Sequence, residues 1–150
     1  MTNKFSKRSL QRLETCHPGL QTLFKRVIEV IDCTVICGRR AKREQDKLFA
    51  SGHSRCKWPH SKHNVLIPND FSQAIDVAPY YKEKPHIRWD KKSLWRWYFF
   101  AGIVLGIAEE LDITIRQGCD WDRDTYVRDQ NFNDLPHTEL FIEENRPWES

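Results

Sequence analysis

The sequence predicts an α+β fold in which a small antiparallel sheet is flanked by helices. Three observations predict it. Apolar residues at helical spacing occupy residues 20–31 and a long aromatic-rich run occupies 93–111, the β-like runs are short, and the two kinds of segment mix without a repeating β-α rhythm. The chain has 150 residues, which is typical of one domain, and a domain of this size buries about 70% of its unfolded surface without help from disulfides. One domain over residues 1–150, with no separate wall-binding domain, is expected.

Each element has its own signal. Ser6–Glu14 can form a short helix. Pro18 then stands where a helix can begin, and Leu20, Leu23, Phe24, Val27, Ile28 and Ile31 come after it at spacings of three and four. Cys33–Cys37 reads as a buried strand ended by Gly38. Arg43–Ala50 reads as a helix with Gly52 as its terminator. His53–Phe71 is loop-like, carrying Pro59 and Pro68. Ala74–Ala78 is a short strand stopped by Pro79. Ser93–Leu111 is a long aromatic-rich helix, and its Trp95, Trp97, Tyr98, Phe99 and Phe100 are expected in the core. Ile113 and Ile115 suggest a strand, Gly118–Asn133 is irregular, and His137–Ile142 looks like a last strand.

Composition excludes several classes. With 39% hydrophobic and 30% charged residues the chain is too apolar for disorder. A net charge of +3 does not indicate nucleic-acid binding, although it could favour an anionic polymer such as a cell wall. No apolar run reaches the length of a membrane span, and the basic N-terminus lacks an apolar core after it, so no signal peptide and no stable membrane association are expected. The five cysteines are an odd number without an export signal, which argues for free thiols. Cys33 and Cys37 lie on a strand, and buried thiols are the expectation for them rather than a structural metal site.

A catalytic zinc site needs three ligands from His, Asp, Glu or Cys, an open position for water, and a nearby carboxylate. One set in this sequence meets the need. Ser61-Lys62-His63 ends a polar loop. In Ala74-Ile75-Asp76-Val77-Ala78, Asp76 shares a strand face with two alanines, so its carboxylate can point into a cleft. In Asp134-Leu135-Pro136-His137, the His opens a strand and Asp134 lies in the preceding turn, within reach of a metal-bound water. A half-buried Asp76 in an apolar strand needs a compensating partner.

These residues resemble a known family. Ser-x-His, Ala-Ile-Asp-Val-Ala-Pro and Asp-x-x-His-x-Glu-Leu are similar to the zinc D-alanyl-D-alanine carboxypeptidase family, which includes phage endolysins that are L-alanyl-D-glutamate endopeptidases. Gly38-Arg39-Arg40-Ala41-Lys42-Arg43-Glu44-Gln45 is similar to that family's Gly-x-Arg-Ser/Thr-x-x-x-Gln segment, and Gly118-Cys119-Asp120-Trp121 resembles its endolysin branch. The resemblance spans residues 20–142. It implies zinc bound by His63, Asp76 and His137, Asp134 as general base, and Arg40 stabilising the oxyanion or orienting the carbonyl. The loop from the first His to the Asp is longer than in the family: twelve residues separate His63 from Asp76, with residues 65–70 as a bulging insertion, and Ser72 stands where a glycine is usual. His60 is an alternative first ligand, less favoured than His63 for its context, and Asp70 is an alternative carboxylate. Glu139 either orients His137 or forms a structural ion pair. Asp120 and Trp121 either line the cleft or lock the loop.

The resemblance further implies a monomeric peptidoglycan hydrolase that waits in the host cytoplasm and reaches the periplasm when a holin opens the inner membrane. A D,D-carboxypeptidase and a non-catalytic zinc-stabilised binding module are the alternatives.

Overall fold

The computed structural model describes residues 2–142; Met1 and residues 143–150 of the expected single domain lie outside the described residues. Ser6 caps the first helix, α1 (Lys7–Leu13), by accepting the Ser9 N–H through its side chain. His17 plays the same part for α2 (Pro18–Val30), with Pro18 at the first turn. Then come strand β1 (Cys33–Cys37), helix α3 (Lys42–Ala50), strand β2 (Ala74–Pro79), a 3-10 turn (Lys91–Ser93) leading into helix α4 (Leu94–Glu110), and strands β3 (Ile115–Gln117) and β4 (His137–Leu140). Elements and order agree with the sequence patterns within a residue or two, as fraying ends allow.

The four strands form one antiparallel sheet in the order β1-β2-β4-β3. Its core face is made by Val35, Ile75, Val77 and Ile115, covered by Leu20, Leu23, Phe24 and Val27 of α2 and by Phe100, Val104 and Ala108 of α4. Four of these α2 side chains are fully buried, and each contributes about 1.5–3 kcal/mol relative to exposure. Helix α4 has no charged face, but only Trp97, Phe100 and their helical neighbours pack inward. Trp95 and Phe99 point to solvent at 63% and 56% exposure, correcting the expectation that the whole aromatic stripe is core. A single helix can press only one face against one sheet. Among the described residues, no helix is long and apolar enough to cross a membrane.

Strand β1 departs from the expected pattern in one place. The register shifts between Val35 and Cys37, so Cys37 pairs with Asp76. A bulge adds one residue to one strand and reverses the facing of the residues beyond it. Cys33 therefore stays in the core, while Cys37 turns to the Asp76 face and is half-buried. All five thiols are free.

Candidate active site

The face of the sheet opposite the core carries a row of functional side chains. Directly paired residues on antiparallel strands share a face. The pairings Cys37↔Asp76 and Asp76↔His137 thus place Cys37, Asp76 and His137 side by side across β1, β2 and β4. Glu139, two residues beyond His137, shares that face and pairs with Arg116 of β3. His63 comes down on the row from the loop between α3 and β2. Gln73 N–H donates to the Lys62 carbonyl, and the buried Ser72 hydroxyl donates to the Ala74 carbonyl, tying the loop to the start of β2. Residues 65–70 of that loop bulge outward, with Leu66 and Ile67 exposed.

Asp76 is the hub. Its Oδ1 lies 3.1 Å from His63 Nε2 and 3.4 Å from His137 Nδ1. Its Oδ2 accepts from an Arg40 terminal nitrogen at 3.2 Å. The far nitrogen of each imidazole is also engaged. His63 Nδ1 donates to the Gly38 carbonyl at 2.8 Å, and His137 Nε2 donates to Glu139 Oε1 at 2.8 Å. Because a carbonyl and a carboxylate can only accept, these bonds leave His63 Nε2 and His137 Nδ1 as the nitrogens aimed at Asp76. Gly38 reaches His63 only because it lacks a side chain. A Cβ there would run into Thr15 Oγ1 and the Arg12 carbonyl.

The charges are set by this packing. Burial by itself would lower both imidazoles. The charge and hydrogen bond of Asp76 outweigh it at His63, and hydrogen bonds to Asp76 and Glu139 outweigh it at His137, carrying the two up to about 9 and about 10. Burial would raise the Asp76 carboxyl, but His63 and His137 hold it well below the usual carboxylate range. Asp134, the carboxylate beyond the row, sits with Oδ2 3.8 Å from His137 Nδ1. Burial pushes its carboxyl up, partly offset by His137. Its position is set by Gly118, where an added Cβ would collide with the Asp134 carbonyl, and by the Asp134 N–H to Gly118 carbonyl bond of 2.9 Å.

Two overlapping groups of donors could hold a metal ion: Cys37, His63 and Asp76, and Asp76, Asp134 and His137. Asp76 belongs to both. Two imidazoles with their outer nitrogens anchored, one carboxylate between them and a further carboxylate at one side are donors of the kind that hold a divalent cation.

The site opens into a cavity of about 690 Å³, lined among others by Arg40, His63, Trp121, Phe132, Asp134 and His137, a size suited to a peptide-sized ligand. His60 also lines it, while His63 is the loop imidazole bonded to Asp76. Asp70 is exposed on the outward-bulging loop and its carbonyl accepts from Arg39. Asp120 and Trp121 divide the two roles foreseen for them. Asp120 locks the loop by accepting the N–H groups of Asp124 and Thr125, and the Trp121 ring lies 5.2 Å from the His137 ring. Glu139 both bonds His137 and pairs with Arg116 at 3.1 Å. Sequence reasoning missed Arg116 and the Cys37 placement. The only signal for either was strand register, which a single sequence does not display.

A family model described as phage L-alanyl-D-glutamate peptidase matches residues 1–141. The structure is similar to that of the L-Ala D-Glu endopeptidase ChiX of Serratia marcescens, with a TM-score of 0.69 and 21% identical residues over 95% of this chain and 93% of that one. No curated protein matches in sequence.

Proposed function

The chain belongs to the phage L-alanyl-D-glutamate peptidase family, and on that premise we propose that it hydrolyses L-alanyl-D-glutamate bonds in peptidoglycan stems with zinc held by His63, Asp76 and His137. The observation that carries the metal is the aim of the two imidazoles. Their outer nitrogens are spent on Gly38 and Glu139, so both inner nitrogens face one oxygen of Asp76. Two imidazoles and one carboxylate suit zinc. When bound, zinc supplies Lewis acidity toward the scissile carbonyl and makes water acidic enough to lose a proton near neutral pH.

The chain's own residues supply the proton path and the charge. Asp134 flanks His137 without belonging to the proposed ligand set, and its raised carboxyl makes it a stronger base than an exposed carboxylate. It takes the proton of the attacking water as the carbon–oxygen bond forms. It returns that proton to the amine nitrogen of D-glutamate as the carbon–nitrogen bond breaks. Arg40 lines the same cavity and gives a fixed positive charge for the carbonyl oxygen as it becomes negative. Trp121 and Phe132 line the walls and exclude water beside His137. The same reading has a monomer made in the host cytoplasm and released to the periplasm through a holin-opened inner membrane, with no nucleic-acid partner.

The test is digestion of purified Gram-negative sacculi with and without chelator, then zinc add-back and mass spectrometry. A new amino-terminal D-glutamate, lost with chelator and restored by zinc, supports the proposal. Free D-alanine would indicate a D,D-carboxypeptidase, and zinc binding without any product would indicate a binding module.

A further inference from the structure

Gln45 is the only buried residue of α3 and is fully removed from solvent. A buried amide is costly unless its bonds are made, and the Gln45 side chain joins Arg40 to the loop that carries His63. Its Oε1 accepts from Arg40 at 2.9 Å and from Asn64 Nδ2 at 3.2 Å. Its Nε2 donates to Ser54 Oγ at 3.0 Å and to the Cys56 carbonyl at 2.6 Å. Arg40 passes the order on, since its other terminal nitrogen holds Asp76 Oδ2. The Arg40 Nε is buried without a partner, so the plane of the guanidinium depends on its two terminal nitrogens. Asp76 is left with one oxygen tied to Arg40 and the other facing both imidazoles.

We propose that Gln45 is a positioning residue for the metal site: it orients Arg40 so that Arg40 occupies Asp76 Oδ2 and only Oδ1 is presented between His63 and His137. This rests on the ligand set proposed above. Arg40 then has a duty apart from the substrate carbonyl, which is to keep the carboxylate from rotating. Groups behind a metal ligand are worth about 10–100-fold in affinity when removed, and residues acting through one another do not give independent penalties.

The experiment is competition for Zn2+ between a chromophoric chelator and the intact protein, for the parent, Gln45→Met, Arg40→Met and the double variant, with circular dichroism to verify folding. Gln45→Met is expected to weaken zinc about tenfold, with the double variant no weaker than Arg40→Met alone. If Gln45→Met does not fold, Gln45→Asn carries the same comparison, because its shorter amide withdraws from Arg40. Parental zinc affinity in a folded Gln45→Met or Gln45→Asn, or penalties that multiply in the double variant, overturns the proposal. Failure of the parent to bind zinc overturns the ligand set itself, a distinct result.

Discussion

His137 and Glu139, two residues apart on β4, are joined by a 2.8 Å hydrogen bond that leaves His137 Nδ1 facing Asp76. Glu139 is buried, and its other oxygen is held by Arg116. Burial would raise its carboxyl, but His137 and Arg116 keep it below the usual range, so it stays an anion. Glu139→Gln keeps the size and can still accept from His137, but loses the charge that steadies the imidazole. Zinc affinity is predicted to fall about 10-fold or more in a chelator competition. Unchanged affinity would remove Glu139 from the account.

The two imidazoles begin the pH dependence of metal-free stability on the alkaline side, and the buried thiols, raised from 9.0, add to it only above that value. Both imidazoles are raised from 6.5, to about 9 and about 10, so the folded state binds their protons more tightly than the unfolded chain does. Their contribution is present in full below pH 6.5 and is lost as pH rises through about 9 and about 10. The lowered Asp76 acts at the other end: its contribution is present above 3.8 and fades as pH falls toward its folded value. With chelator present, melting temperature is predicted to decline from about pH 7 to about pH 10, and to decline less in His63→Gln. Parallel profiles for the two proteins would contradict the ion pairing.

Asp134→Asn keeps the shape of the side chain and removes its basicity. Hydrolysis of sacculi is predicted to fall by about 100-fold or more, while zinc affinity stays within about threefold, since Asp134 stands outside the proposed ligand set. Undiminished hydrolysis would exclude Asp134 as the base.

Gly118→Ala tests how Asp134 is placed. The added methyl meets the Asp134 backbone, so the turn before β4 must move, and a shift of about 1 Å in a reacting group costs about 100-fold. The expected result is a fall in kcat larger than any loss of zinc. A variant with parental kcat would show that the turn absorbs the methyl.

Much of the fold and of the site is legible in the sequence. Leu20, Leu23, Phe24 and Val27 announce α2 and its buried face, and the apolar setting of Asp76 announces a carboxylate in need of partners. The rest depends on relations between elements. Helix α4 is apolar nearly all round, so nothing local says that Phe100 packs while Phe99 does not. Cys37 turns to the Asp76 face through a one-residue bulge that alternation alone would deny. Gln45 stands in the family-like segment at residues 38–45, but its burial comes from Ser54, Cys56 and Asn64 of the following loop, a relation the segment itself does not display. The Arg116–Glu139 pair exists only in the register of β3 against β4.

The ligand set is tested most directly by X-ray absorption at the zinc edge of the loaded protein. The expected result is nitrogen and oxygen neighbours only, at about 2.0–2.2 Å, with the multiple scattering of two imidazoles. A sulfur neighbour at about 2.3 Å would place Cys37 on the metal and contradict the set of His63, Asp76 and His137.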